Sequence, residues 1–91
     1  MIVDLNILDG IINVCKRCGV KEVILFGSRA KGTAVKTSDY DIAVSGVRDI
    51  CELEDALEDI DTLYKIDIVD LDSCLNNYLL EDIKTYGVKI L

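Results

Sequence analysis

The sequence predicts a single α/β (α+β) domain, residues 1–91, in which helices flank a mixed central β-sheet. Two observations lead to this prediction. Helix-like and strand-like segments alternate along the chain, and no repeat, low-complexity tract or linker separates them. In addition, 91 residues that are 51% hydrophobic and 30% charged are typical of one small globular domain with a modest core.

The first helix is predicted over about residues 4–18. Asp4 can cap its start, and Gly19 can end it in a left-handed conformation. Apolar residues recur along it at helical spacing, namely Leu5, Leu8, Ile11, Ile12 and Cys15.

Three apolar segments then read as strands. The first two, KEVILFG and YDIAVSG, end at Gly27 and Gly46, and the third is YKIDIVDL. Only a short helix and a loop fit between the first two strands, from Ser28 to Asp39. The sequence therefore leaves the strand directions open and favours a mixed sheet.

Two further helices complete the predicted domain. The first covers RDICELEDALEDIDTL, with Ile50, Leu53, Leu57 and Ile60 on one face and acids around the rest. The second begins with Asp72 or Ser73 as its cap and extends to about Thr85. The segment GVKIL then adds a terminal strand.

The charge and hydropathy of the chain limit its partners. A net charge of −7 repels nucleic acid backbones, which argues against general DNA or RNA binding. A metal-bound polyphosphate or a basic protein remains compatible with it. The longest wholly apolar run, Val23 to Phe26, is too short to cross a bilayer, and no secretory signal is visible. We therefore expect a cytoplasmic protein that does not enter a membrane.

Cys15 and Cys18 form a CxxC pair, which raises the question of zinc. No second pair and no histidine accompany them to complete a tetrahedral site. Cys15 also lies on the apolar stripe of the first helix. We therefore predict that Cys15 is a buried, reduced thiol.

Three aspartates are the candidate catalytic and metal-binding residues. Asp39 and Asp41 are one residue apart, so on a strand both carboxylates point to one face and repel each other. Asp67 lies inside a later apolar strand, with Asp70 as a near alternative on the opposite face. If these strands are neighbours, the carboxylates could hold two Mg²⁺ ions for phosphoryl or nucleotidyl transfer.

The turn that follows the first strand is the candidate phosphate-binding segment. Gly27 allows close approach of the backbone to a ligand, and Ser28 can donate its hydroxyl and N–H groups to a phosphate oxygen. Arg29 and Lys31 add positive charge nearby. A P-loop is excluded, because Gly32 is not followed by lysine and then serine or threonine.

Together, GSRAKG, TAVKT, SDYDIAV and IDIV resemble the minimal nucleotidyltransferases of the DNA polymerase β superfamily over almost the whole chain. The resemblance implies a polymerase-β-like nucleotidyltransferase fold. It also implies that Gly27 and Ser28 hold a nucleoside triphosphate and that Asp39 and Asp41 ligate Mg²⁺. Asp67 would complete the metal site or activate the acceptor hydroxyl.

The chain also resembles the stand-alone members of that superfamily, which act as antitoxins beside a HEPN-type toxin. Such members transfer AMP from ATP to a tyrosine of the toxin. Two other functions stay open, namely a binding module that neutralises a partner by contact, and transfer to a small molecule or an RNA end with an accessory chain. The nucleotide, the acceptor and the oligomeric state, including a homo-oligomer, also stay open.

The acidic helix after Arg48 is either a solvated face or a docking surface for a basic partner. The tyrosines are expected to pack rather than to accept the transferred group, and they are Tyr40, Tyr64, Tyr78 and Tyr86.

Overall fold

A computed structural model describes residues 5–33, 39–60, 62 and 64–91 of the chain. In this part of the chain, helices and strands alternate around a four-stranded sheet. In chain order the elements are α1 (Leu5–Arg17), β1 (Glu22–Phe26), α2 (Ser28–Lys31), β2 (Tyr40–Ser45), α3 (Ile50–Glu58), β3 (Ile66–Asp70), α4 (Asn77–Tyr86) and β4 (Val88–Lys89).

The sheet is mixed, as the sequence predicts. Its strand order is β3-β2-β1-β4. The pairs β1–β2 and β1–β4 are antiparallel, whereas β2 and β3 are parallel. A parallel neighbour requires a crossover, and α3 provides it between the end of β2 and the start of β3.

The two faces of the sheet carry separate apolar clusters. On one face, β-strand side chains such as Leu25 and Ile42 pack with α1 and α3 residues such as Ile11 and Leu53. On the other face a smaller cluster forms beneath α4, from Phe26, Ala43 and Ile83. Residues of β1 and β2 alternate between these clusters, because successive side chains of a strand point to opposite faces.

Cys15 lies in the larger cluster with no exposed surface, which confirms the predicted core thiol. Burial raises the pKa of the Cys15 thiol to about 11, and the neighbouring Cys18 contributes to the shift. The thiol is therefore protonated and inert at neutral pH.

The helix boundaries refine the predictions. α1 agrees with the predicted first helix, although Asp4 lies outside the described residues. The long acidic helix is shorter than predicted, since it is capped by Asp49 and ends at Glu58. The predicted caps of the last helix are wrong. Asn76 caps it, because its side-chain Oδ1 accepts a hydrogen bond from the Leu79 N–H.

Asp72 cannot serve as that cap because its carboxylate has another partner. Asp72 Oδ2 accepts a 2.8 Å hydrogen bond from the Gly46 N–H and so ties the β3–α4 turn to the end of β2.

The later start of α4 also sets which side chains face the sheet. Tyr78 is 91% exposed, so the prediction that it packs is wrong, while Tyr40 is fully buried as predicted.

None of the helices in the described ranges is long and apolar enough to cross a membrane.

Candidate functional site

The carboxylates of Asp41 and Asp67 lie on adjacent strands and belong to the same face of the sheet. The parallel register pairs Asp41 directly with Asp67. The flanking residues Tyr40, Ile42 and Ile66 pack in the larger core on the opposite face. Our prediction depended on β3 lying beside β2, and the strand order meets that condition.

Asp41 is the electrostatic centre of this group. Its pKa is raised from the usual value of 3.8, first by burial and then by the charges on Asp67 and Asp39. All three predicted carboxylates therefore lie close enough to interact. A cation placed among them would relieve their repulsion.

Asp70, the alternative to Asp67, has a different role. Its Oδ1 accepts a hydrogen bond of 3.0 Å from the Asp72 N–H, so it stabilises the turn after β3. It is paired with Val44 at the far end of β2 from Asp41. The structure thus favours Asp67 as the third carboxylate.

The glycine turn packs directly against Asp41. Gly27 has φ 75° and ψ −156°, a region that is essentially restricted to glycine. A Cβ atom built there would collide with the Asp41 carboxylate. The backbone of the turn and the carboxylate are therefore held in contact, and Ser28 begins α2 at the same place.

Lys31, at the end of α2, reaches α4. Its Nζ lies 2.8 Å from Asp82 Oδ1 and 5.0 Å from the centre of the Tyr86 ring. The hydrogen bond to Asp82 raises the pKa of Lys31. Nothing local in the sequence indicates the contact between Lys31 and Tyr86, because only the tertiary fold brings α4 beside α2.

Arg29 does not lie where we expected. Its side chain is only 2% exposed, and its guanidinium carbon lies 4.0 Å from the centre of the Tyr40 ring. Tyr40 faces the core opposite to Asp41. The structure therefore brings Gly27, Ser28 and the carboxylates together but places the Arg29 guanidinium on aromatic rings behind the sheet.

The donor set of the three aspartates suits Mg²⁺, which prefers hard carboxylate oxygens and keeps water and phosphate oxygens in its shell. In the part of the chain that the structure describes, no three acidic or thiol side chains are already arranged around a common metal position. The Asp67 carboxylate contacts Lys65, with Nζ 3.3 Å from Oδ1. Asp39, Asp41 and Asp67 are nevertheless the residues that fit the ion by chemistry and charge.

A sequence profile described as "Polymerase beta, Nucleotidyltransferase" matches residues 9–91. The chain belongs to this nucleotidyltransferase family. The mixed sheet flanked by helices agrees with the fold of the family, as predicted. No curated protein sequence matches the chain significantly.

Three solved structures are similar to the nucleotidyltransferase domain described here. One is a crystal structure of a toxin–antitoxin with AMP-PNP, at 30% identity and a TM-score of 0.72, covering 91% of this chain and 71% of that chain. A double mutant of the toxin–antitoxin MntA-HpeT has 28% identity and a TM-score of 0.71 over the same shares. Another mutant of MntA-HpeT has 27% identity and a TM-score of 0.67, covering 99% of this chain and 73% of that chain.

Proposed function

We propose that this nucleotidyltransferase is a Mg²⁺-dependent antitoxin of the cytoplasm that transfers AMP from ATP to a tyrosine hydroxyl of a HEPN-type toxin. The observation that carries the proposal is the pairing of Asp41 with Asp67 beside the Gly27 turn. Two adjacent carboxylates, one of them with a raised pKa, lower the folding stability of a small domain unless they bind a cation. A phosphate-binding turn in contact with them suggests that the cation accompanies a nucleoside triphosphate.

In the proposed reaction, the acceptor oxygen attacks the α-phosphorus of ATP and forms the new P–O bond. The bond from that phosphorus to the bridging oxygen breaks, and pyrophosphate leaves. Bound Mg²⁺ supplies Lewis acidity and neutralises the charge that develops on the phosphates. The proton of the acceptor hydroxyl passes to Asp67 if that residue is the base, or to water if Asp67 is a third metal ligand.

The other residues of the site bind and orient the nucleotide. Gly27 lets the triphosphate approach the backbone, and Ser28 donates its N–H and hydroxyl groups to phosphate oxygens. Lys31 supplies positive charge from the end of α2, where Asp82 holds it. Arg29 contributes through the packing described above, and we do not assign it a direct contact with the nucleotide.

The similar crystal structures support the choice of ATP and of a toxin. One of them includes AMP-PNP, an ATP analogue. In another, two aspartates separated by one residue are replaced by glutamate, the same spacing that separates Asp39 from Asp41 here. These facts concern the relatives, and they guide the choice of nucleotide and partner to be tested with this chain.

The surface of α3 supports a basic partner. Its exposed residues include Glu52, Glu54, Asp55 and Glu58, and no lysine or arginine occurs between Asp49 and Thr62. Complementary charge accelerates the encounter of two proteins and selects among partners. An acidic helix on one side of a small domain would therefore favour a basic toxin over another acidic protein.

Labelling of the toxin tests this proposal directly. Incubation of the chain with Mg²⁺, labelled ATP and the protein encoded by the neighbouring gene should label that protein on tyrosine. Asp39→Ala should abolish the labelling, because the variant lacks a metal ligand. The chain alone should show almost no turnover, since alignment of both substrates contributes up to about 7 to 11 kcal/mol to such reactions.

The same experiment separates the alternatives. A module that acts by contact alone would neutralise the partner equally with or without Asp39→Ala, and no label would be transferred. Transfer to a small molecule or an RNA end would label that acceptor in the presence of an accessory chain and would leave the neighbouring protein unlabelled.

We also expect Mg²⁺ and ATP to bind together much more tightly than either binds alone. The metal relieves the repulsion among the three aspartates, and the triphosphate completes the coordination of the metal. Titration calorimetry with ATP in the presence of Mg²⁺, and again with excess chelator, measures the difference. Equal ATP affinity under both conditions would contradict a metal-dependent site.

A further inference from the structure

Arg29, Tyr40 and Tyr64 form a buried cation–aromatic cluster, which we call the Arg29 cluster. The guanidinium carbon lies 4.0 Å from the centre of the Tyr40 ring and 5.0 Å from that of Tyr64. The two rings meet edge to face, with centres 5.6 Å apart and planes at 69°. In the described part of the chain no fully buried side-chain nitrogen or oxygen lacks a hydrogen-bond partner, and this includes any guanidinium nitrogen without exposed surface.

Each residue of the Arg29 cluster belongs to a segment that carries part of the candidate site. Arg29 follows Ser28 directly, and Tyr40 lies between Asp39 and Asp41. Tyr64 lies three residues before Asp67, and the Tyr40 N–H donates a 2.9 Å hydrogen bond to the Lys65 carbonyl. The cluster thus joins the glycine turn, β2 and the start of β3 from the side of the sheet opposite to the carboxylates.

Stability alone does not account for an arginine at this place. A charge that is 2% exposed loses most of its hydration, and replacing buried ionic groups with apolar ones of similar size is often neutral or stabilising. What an arginine offers is direction, because its planar guanidinium stacks on aromatic rings and donates hydrogen bonds in fixed directions. It can therefore fix the position of α2 relative to two strands more strictly than an aliphatic side chain could.

We propose that Arg29 is a positioning residue of the nucleotide site, which acts through Tyr40 and Tyr64 without touching the nucleotide. It sets the spacing between the Gly27–Ser28 turn, which holds the triphosphate, and the carboxylates, which hold the metal. This inference rests on the proposed function, because it concerns the binding of Mg²⁺ and ATP at the same site. Such spacing matters because an error of about 1 Å in alignment can reduce a rate about a hundredfold.

The test compares Arg29→Met, which keeps length and loses charge, with Arg29→Lys, which keeps the charge. Val14→Ala serves as the control. Val14 is buried on α1, and this helix contains none of the three segments that the Arg29 cluster joins. ATP affinity in the presence of Mg²⁺ is measured at a temperature at which every variant is folded. We expect Arg29→Met to weaken binding about 10- to 100-fold, as loss of an orienting partner does at metal sites, and Arg29→Lys to restore part of it. Val14→Ala should bind as the wild type does.

Tyr64 provides a second pair of variants if Arg29→Met does not fold. Tyr64→Phe keeps the ring and should retain affinity, whereas Tyr64→Leu removes it and should lose affinity. Losses no larger than that of Val14→Ala in both series would overturn the inference.

Amide hydrogen exchange gives a readout that does not depend on ligand binding. Arg29→Met should speed exchange at Lys31, whose N–H donates to the Gly27 carbonyl, and at Asp41 beyond any uniform change, whereas Val14→Ala should change these amides no more than the rest of the core. If the wild type binds no ATP with Mg²⁺, the proposed function fails, and exchange alone decides the inference. Faster exchange at both amides would then support the cluster, and unchanged or uniform exchange would overturn it.

Discussion

Replacing Asp41 with asparagine is expected to abolish nucleotidyl transfer while the fold remains intact. The change removes one negative charge at almost constant volume, so the packing of β2 is preserved. It also removes a carboxylate ligand from the proposed metal site. If the metal supplies about 4 kcal/mol of transition-state stabilisation, its loss slows transfer about a thousandfold.

Partner labelling and circular dichroism together measure this outcome. Asp70→Asn is the matched control, because Asp70 lies on the neighbouring strand and its asparagine could still accept the hydrogen bond from the Asp72 N–H. We expect that variant to transfer at the rate of the wild type. Retained turnover in Asp41→Asn with a native spectrum would remove Asp41 from the site.

The same substitution should stabilise the folded protein at neutral pH. The pKa of Asp41 is higher in the folded protein than its usual value of 3.8. Ionisation therefore costs more in the folded state than in the unfolded state, and the folded state loses stability as the pH rises through 3.8 and then through the raised pKa. Thermal unfolding should give a higher Tm for Asp41→Asn than for the wild type at neutral pH, and no difference below pH 3.8.

The second large effect is expected for Gly27→Ala. The backbone at Gly27, with φ 75° and ψ −156°, costs a non-glycine residue on the order of 1–3 kcal/mol. The new methyl group would also displace the Asp41 carboxylate, which occupies that space. We therefore expect both a lower free energy of unfolding and a loss of ATP binding in the presence of Mg²⁺.

Gly32→Ala separates these two causes. Gly32 has φ 79° and ψ 14°, and a Cβ atom there would meet no atom of the described residues within 4 Å. Its cost is thus limited to a left-handed backbone, about 1–2 kcal/mol, with no displaced carboxylate. Urea unfolding should show both variants destabilised, and calorimetry should show ATP binding lost only in Gly27→Ala. Similar ATP affinity in the two variants would mean that the Gly27–Asp41 contact is irrelevant to the site.

Much of the site could be predicted because its signals are local in sequence. The alternation of strand side chains places Asp41 opposite to Tyr40 and Asp67 opposite to Ile66, and the structure agrees. The pairing of Asp41 with Asp67 was conditional, since it requires β3 to lie beside β2. Nothing within either strand specifies its neighbour, because that choice depends on the α3 crossover and on the burial of both strands.

The features that the sequence did not reveal depend on distant contacts. An arginine next to a phosphate-binding turn reads as a ligand for phosphate, and only the approach of Tyr40 and Tyr64 makes a buried position favourable for Arg29. The cap at Asn76 was missed for a similar reason, because Asp72 is an equally good cap by residue type. The Asp72 carboxylate instead accepts a hydrogen bond from the Gly46 N–H, 26 residues away in sequence.

The place of β3 in the strand order has a consequence for the size of the substrate. β3 is the last strand on its side of the sheet among the residues that the structure describes, so Asp67 lies on a strand at the rim of the sheet and Asp41 on the strand beside it. A reaction centre at a rim can be approached from the side by a bulky molecule, whereas one at the bottom of a cleft admits only a small or extended substrate. In the proposed reaction, a tyrosine could therefore be modified while it remains on the surface of a folded toxin.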